Sequence, residues 1–454
     1  MQEYLLKNAM LVLPGRKVER GDLLIDSRGL IAAVGQVPRE MAADRATRDC
    51  TDVLVMPGLV NCHGHTAMTL VRGLGGGLPL QRWLEEAIFP VEAKMAPADV
   101  KAGEVWGILE MIAGGTTCVA DMYDFPDEMA IALLETGMRG RVCRVGLSFV
   151  TGRLEDCINF TRSHNDWVRR ENHDILADLC IHSEYLTDET FCRALAAANS
   201  ELKRPMHFHV SETKKEHDEC LARHGKTPIA YLAGTGLLDY GGYAAHGVWC
   251  TDDDFRIMAD HHVSLVHNPT SNLKLGSGFA RVPRAMELGV NVALGTDGCA
   301  SNDNLDMFEE MHIASLVHKG VAHDPTVLTP WDVIEMATVN GAKALGMDDH
   351  IGSLEVGKAA DVCLVDLAAL HATPALDIPN LIVHSLHGSD VVATALQGDF
   401  VYDRTALGDG GQAASRKLLY RTSAAFDLSP VTVEGARRDF LAAVKRLGPG
   451  VDLR

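Results

Sequence analysis

The stretch Pro57-Gly58-Leu59-Val60-Asn61-Cys62-His63-Gly64-His65 runs as an apolar strand that ends on two histidines. Side chains two apart on a strand share a face, so His63 and His65 point the same way. In a barrel of strands that face is the lumen, and the C-terminal rim is where barrel enzymes carry their chemistry. Two neutral imidazoles converging at one point suit a divalent metal. A His pair alone says little in a chain with 20 histidines. Its place at a strand end gives it weight.

Working outward, seven further apolar runs read as strands: 116–121, 142–148, 178–182, 206–210, 243–246, 263–268 and 290–297. Amphipathic stretches such as 100–113, 191–199, 251–259 and 330–345 lie between them. Eight strands alternating with helices predict an α/β fold, a (β/α)8 TIM barrel over residues 59–357. A doubly wound open sheet is the competing architecture. It would want a phosphate-binding glycine fingerprint, and Gly73-Leu74-Gly75-Gly76-Gly77 lacks that spacing. Short strands with turns fill both ends of the chain: 4–12, 21–25 and 30–34, then 360–365 and a hairpin of 391–396 with 399–402. Each set alone is short of partners for its apolar face. Residues 1–58 and 358–454 are therefore expected to join as one small β-sandwich domain.

Three more barrel strands end in polar residues. Met206-His207-Phe208-His209-Val210-Ser211-Glu212 finishes on His209 and, three residues on, Glu212. Ala244-Ala245-His246 closes the sixth strand, and Val292-Ala293-Leu294-Gly295-Thr296-Asp297 closes the eighth. Histidines and an aspartate around one lumen would supply metal ligands plus a carboxylate able to take a proton from water. Other templates fail. There is no His-Glu-x-x-His helix, no Gly-x-Ser-x-Gly elbow and no phosphate loop. The Pro-Cys-x-x-Cys signature of the small zinc deaminases is missing too.

Composition bounds the partners. Among 454 residues, 42 Lys and Arg against 61 Asp and Glu leave a formal charge of −19. That surplus repels phosphate backbones and anionic lipid, so neither nucleic acid nor a membrane surface is expected. Apolar residues at 47% and charged residues at 23% are ordinary for a globular chain. The 11 cysteines are scattered singly, which points to reduced thiols in a cytoplasm. No signal peptide is expected from the start MQEYLLKNAM, and no apolar run approaches the ~20 residues a membrane span needs. A small-molecule substrate and further copies of the chain, as a dimer or tetramer, are the expected partners.

The first-strand motif resembles that of the amidohydrolase superfamily. The resemblance continues through His209-Val210-Ser211-Glu212, His246, Ser271-Asn272-Leu273-Lys274-Leu275-Gly276 and Gly295-Thr296-Asp297, and covers nearly the whole chain. Within the superfamily the chain is similar to the branch holding 5-methylthioadenosine/S-adenosylhomocysteine deaminases, guanine deaminases and triazine hydrolases. The resemblance implies one divalent metal, usually zinc and in some members iron. It makes His63, His65, His209 and Asp297 the ligands, Glu212 the proton shuttle and His246 the residue that orients the attacking water. Asp297 would accept that water's proton and Glu212 would protonate the ring nitrogen.

The same resemblance implies the substrate groups. Trp83 belongs to the matching segment, Glu92 would bind ribose hydroxyls, and Arg144 with Arg153 would receive a homocysteine carboxylate through guanidinium pairing. His182 would contact the purine ring. Two departures stand out: Gly64 where Thr is usual, and Glu184 where Pro commonly flanks the Ile181-His182-Ser183 segment, which puts an acid near the expected purine pocket. The Gly73–Gly77 run is read as a flap over the substrate or as a plain turn. The expected activity is deamination of an adenosine-type substrate to its inosine counterpart plus ammonia. The alternatives are hydrolysis of guanine, a pterin or an s-triazine, and a barrel relative that has lost catalysis.

Overall fold

The computed structural model describes residues 3–171, 174–404 and 431–448. Part of the expected terminal domain, 405–430 and 449–454, lies outside the described residues. Eighteen strands appear among those described. The first five are β1 (Tyr4–Leu13), β2 (Lys17–Ile25), β3 (Ile31–Gly35), β4 (Ala46–Asp49) and β5 (Val53–Pro57). The central ones are β6 (Leu59–His65), β7 (Thr116–Tyr123), β8 (Arg139–Arg144), β9 (Ile175–Ala177), β10 (Leu179–Cys180), β11 (Met206–Val210), β12 (Gly242–His246), β13 (Val263–His267), β14 (Val292–Leu294) and β15 (Asp297–Gly298). The last three are β16 (Val362–Asp366), β17 (Val391–Leu396) and β18 (Asp399–Asp403).

The two ends of the chain do pair. One eight-stranded sheet runs β18-β17-β16-β5-β1-β2-β3, with β4 alongside β1. The join is antiparallel, Val362 opposite Pro57 through Asp366 opposite Val53. Leu6, Leu11, Leu23, Val55, Leu364 and Ala393 bury its inner face. Beneath that join Arg139 Nε donates to Asp361 Oδ2 at 2.6 Å, and Gln397 N donates to Asp361 Oδ1 at 2.7 Å. Gly58 turns the chain from this sheet into β6, because a Cβ there would lie 2.2 Å from Thr117 Oγ1. The terminal helix Val433–Leu447 lies elsewhere, against the helix Pro97–Ala113, where Trp106 stacks on Phe440 at 5.2 Å.

The central strands form two parallel five-stranded sheets, β15-β6-β7-β8-β9 and β10-β11-β12-β13-β14. Asp178 alone separates β9 from β10, and Gly295-Thr296 separate β14 from β15. Each interruption is bonded to neighbouring strands: Asp178 N donates to Val142 O, Gly295 N to His267 O and Thr296 N to Asn61 Oδ1. The third strand differs from expectation, at Arg139–Arg144 instead of 142–148. Arg139 and Arg141 hide it from a hydropathy reading, since both are buried with partners distant in sequence, Asp361 and Leu345 O. Outward strand residues such as Phe208, Leu265 and Leu294 are buried in one core with helix residues such as Phe255. No helix among the described residues is long and apolar enough to cross a membrane.

Candidate active site

His63 and His65 leave the end of β6, His209 the end of β11, His246 the end of β12, and Asp297 opens β15. One ligand atom from each of His63, His65, His209 and Asp297 lies within 4.8 Å of the other three. The hydrogen bonds behind them fix which atoms face inward. Nδ1 of His65 lies 2.7 Å from Met122 O, and Nδ1 of His209 lies 2.8 Å from His182 O. A carbonyl only accepts, so both protons sit on Nδ1 and both Nε2 atoms are bare lone pairs. Those lone pairs face each other at 3.1 Å, with Asp297 Oδ1 3.3 Å from His65 Nε2. Nε2 of His63 is buried without a hydrogen-bond partner, 3.3 Å from the same oxygen.

Two bare nitrogens, the unpartnered Nε2 of His63 and a carboxylate oxygen converge here, an arrangement that a cation among them would relieve. Ligands held at about 2.0–2.2 Å around one tetrahedral ion stand about 3.3–3.6 Å apart. Three of the separations, 3.1, 3.3 and 3.3 Å, are near that spacing, all four atoms lie within 4.8 Å of one another, and a borderline divalent ion fits three imidazoles and one carboxylate. Burial pushes the His63 pKa down to about 4, which keeps it neutral and able to ligate. Ser271 and Ser301 donate to Asp297 Oδ2 at 2.6 and 2.9 Å, leaving Oδ1 for the inner face.

Glu212 and His246 stand beside this cluster, with Oε2 of Glu212 3.8 Å from Nε2 of His246. Glu212 is placed by its own chain. Thr213 caps the helix Lys214–His224, and Glu216 in its first turn accepts from Ser211 N at 2.9 Å and Glu212 N at 2.8 Å. Burial raises the Glu212 pKa above the ordinary carboxylate value, with the neighbouring Asp297 adding to the rise. For His246 burial opposes charge, yet Glu212 and Asp297 outweigh it and raise its pKa. Asn272 Oδ1 lies 2.9 Å from His246 Nδ1 and fixes the ring. For Asp297 burial works upward, but His63, His246 and His65 hold the carboxyl well below its ordinary range. His246 and Asp297 have φ of 73° and 61°, left-handed backbone that costs about 1–3 kcal/mol per residue and is characteristic of sites.

The cluster forms one end of a cavity of about 440 Å³. Trp83, Glu92, Arg153 and His182 all line it. Glu92 is half-buried in the cavity wall, where desolvation raises its pKa, and Tyr123 Oη donates to it at 2.6 Å. Trp83 Nε1 donates to Leu74 O at 3.0 Å, fastening the Gly73–Gly77 run to the cavity wall. Arg153 pairs with Asp124, which also faces the cavity.

Arg144 is not brought to the cavity. Cys143 points inward, so Arg144 on the other face of β8 points to the outer helix and Asp156, 3.6 Å away. The acid expected near the purine pocket is likewise turned aside, for Glu184 is bound by Arg223 at 2.7 Å and His224 at 3.0 Å. Gly64 leaves ordinary van der Waals room for a Cβ, its nearest neighbour being Thr66 Oγ1 at 3.7 Å. Two site residues escaped the sequence reading, Tyr123 and His207. His207 shares the lumen parity of His209, whereas Tyr123 pairs with Arg144 on the outward face at the end of β7 and had no such signal.

The amidohydrolase family model matches residues 54–401 of the chain. A 5-methylthioadenosine/S-adenosylhomocysteine deaminase of Acetivibrio thermocellus is 42% identical over 369 residues, covering 81% of this chain and 85% of that protein. Its counterpart in Moorella thermoacetica is 38% identical over 410 residues, 89% of this chain and 95% of that one. Among solved structures, an adenosine deaminase of Xanthomonas campestris with bound zinc superposes with a TM-score of 0.86 at 33% identity, covering 98% of this chain and 99% of that one. An atrazine chlorohydrolase of Arthrobacter aurescens has a TM-score of 0.82 at 20% identity over 97% of this chain and 100% of its own, a likeness of fold.

Proposed function

The chain belongs to the amidohydrolase family and is a hydrolase acting on C–N bonds, and from that premise we propose that it deaminates 5-methylthioadenosine and S-adenosylhomocysteine to their inosine counterparts plus ammonia. The observation that carries the reading is the convergence of His63, His65, His209 and Asp297 beside Glu212 and His246, at the end of a cavity whose wall holds Glu92.

His63, His65, His209 and Asp297 would hold one divalent ion, zinc first and iron as the alternative. Such an ion, when bound, supplies Lewis acidity that brings the pKa of water from 15.7 to around 7. The chain's own groups do the rest. His246, steadied by Asn272, orients the attacking water, and Asp297 takes its proton. Glu212 delivers a proton to the ring nitrogen beside the reacting carbon and then helps protonate the departing amine. One C–O bond forms and one C–N bond breaks, while the two protons of water end on the ring nitrogen and on ammonia. Glu92 accepts from the ribose hydroxyls, with Tyr123 holding its carboxylate in place. His182 meets the purine ring, Trp83 walls the cavity, and Arg153 takes the carboxylate of a homocysteine tail.

The architecture belongs to the same proposal. The two parallel sheets are read as halves of one (β/α)8 barrel over 59–357, with the terminal segments 1–58 and 358–454 forming a β-sandwich domain. The backbone bonds at Asp178 and Gly295 support the first part, and the β5–β16 pairing supports the second.

An ammonia-release screen over adenosine, methylthioadenosine, S-adenosylhomocysteine, guanine, pterins and s-triazines tests the activity. The two thioether nucleosides should give the highest kcat/KM. Faster turnover of guanine, a pterin or a triazine would refute the assignment.

A further inference from the structure

His65 and His209 have their tautomers set by backbone carbonyls, which have no choice but to accept. His63 is different. Its Nδ1 lies 2.8 Å from Nε2 of His207, a second imidazole that could either accept or donate. His207 sits two residues before His209 on β11, on the same lumen face and one layer deeper, and is fully buried. Its other nitrogen, Nδ1, lies 3.6 Å from Sγ of Cys143 on β8, and that thiol donates to Asp121 O at 3.4 Å.

We propose that His207 is the positioning residue for the metal ligand His63, holding it in the one tautomer that can ligate through a hydrogen-bond chain that runs in a single direction. The inference rests on His63 being a ligand. A ligating Nε2 must keep its lone pair, so the proton of neutral His63 sits on Nδ1 and donates to His207 Nε2. The proton of His207 then sits on its own Nδ1 and donates to Cys143 Sγ. The thiol proton goes to Asp121 O, which ends the chain on an obligate acceptor. Were Cys143 instead to donate to His207, the proton of His207 would face His63 Nδ1. The proton of His63 would move to Nε2, and the ligand lone pair would be lost. The carbonyl of Asp121 anchors the correct polarity from 3.4 Å below. His207 has a structural contact too, packing on Tyr243 with ring centroids 4.3 Å apart. The test must separate the two roles.

Zinc affinity of full-length protein, stripped with a chelator and titrated against a chromophoric competitor, is compared for wild type, His207→Leu, His207→Gln and Cys143→Ala, with thermal unfolding of each zinc-free form. Gln offers an acceptor oxygen toward His63 and donor hydrogens toward Cys143, the polarity of the native chain, while Leu fills space without accepting. His207→Leu should bind zinc ~10–100-fold more weakly, the size of effect expected when a partner behind a ligand is lost. His207→Gln should stay within about threefold of wild type, which a packing role alone would not produce. Equal losses in both variants, or no loss in either, overturn the proposal. Long-range 15N–1H spectra of histidine-labelled, zinc-loaded wild type add a readout independent of any variant that fails to fold. They should find His207 protonated on Nδ1, and protonation on Nε2 overturns the chain. A wild type that takes up no zinc would refute the metal reading itself, and this inference with it.

Discussion

Replacing Glu212 by Gln isolates the proposed proton transfer, because the structure leaves little else for the substitution to disturb. The carboxylate is 6% exposed, and its polar neighbours are distant, Ser277 Oγ at 3.4 Å and His246 Nε2 at 3.8 Å. Gln has the same shape, and the backbone at this position is held through the Glu212 amide by Glu216, which the change leaves alone. No short hydrogen bond is lost, so folding stability should move by no more than about 1 kcal/mol. The four proposed ligands are untouched, and zinc content should stay at wild-type level. The whole effect then falls on chemistry. General acid–base transfer contributes ~10²–10⁴-fold, or about 2.7–5.4 kcal/mol of barrier. Steady-state ammonia release should therefore show kcat lowered by that factor, with KM within about fivefold. A variant with full zinc that keeps more than about a tenth of wild-type kcat would remove Glu212 from the mechanism.

Arg153→Met should lower kcat/KM for S-adenosylhomocysteine by about 30-fold or more while leaving methylthioadenosine within about threefold, because only the former has a carboxylate to pair. Arg144→Met, facing Asp156, should spare both substrates, and a selective loss there would return Arg144 to the cavity. Asp361→Ala leaves the Arg139 guanidinium buried without its main partner, which costs ~3–5 kcal/mol and should show as a lower thermal unfolding midpoint. An unchanged midpoint would refute the role of that pair in joining the terminal sheet to β8. Burial lifts the Glu310 pKa to about 8, above its value in the unfolded chain, so its contribution to stability is complete at acid pH and lost as pH rises toward 8. Between pH 6 and 8 that amounts to about 2 kcal/mol, and Glu310→Gln should flatten the slope; parallel slopes would contradict it.

The strands were legible where apolar residues alone make the signal. Leu59–His65, Met206–Val210 and Val391–Leu396 stand at their expected boundaries. Arg139–Arg144 was not, because Arg139 is paired with Asp361 and Arg141 donates to Leu345 O, groups more than 200 residues away that no local window contains. Ala46–Asp49 is a largely exposed strand with no apolar alternation to announce it. At the site, spacing and strand-end position sufficed to gather His63, His65, His209, Glu212, His246 and Asp297. Direction was harder to read. That Arg144 faces a helix and that Glu184 is occupied by Arg223 depend on strand parity and on a helix packed nearby, both products of the assembled fold. His207 was in plain view beside His209, but its bond to His63 joins strands 144 residues apart.

The pairing of β5 with β16 sets a timetable for synthesis. The edge of β5, residues 53–57, emerges from the ribosome with β1 on one side and bare amides and carbonyls on the other. Its partner, residues 362–366, follows about 300 residues later, which at ~5–20 residues per second is a wait of roughly 15–60 s. Through that interval the nascent chain carries a Val-Leu-Val-Met edge ready to pair with any strand that passes, including the same segment on a neighbouring ribosome. The two ends of the chain thus make the N-terminal sheet the first part to begin and among the last to finish, and expression yield should depend on whatever covers that edge in the meantime.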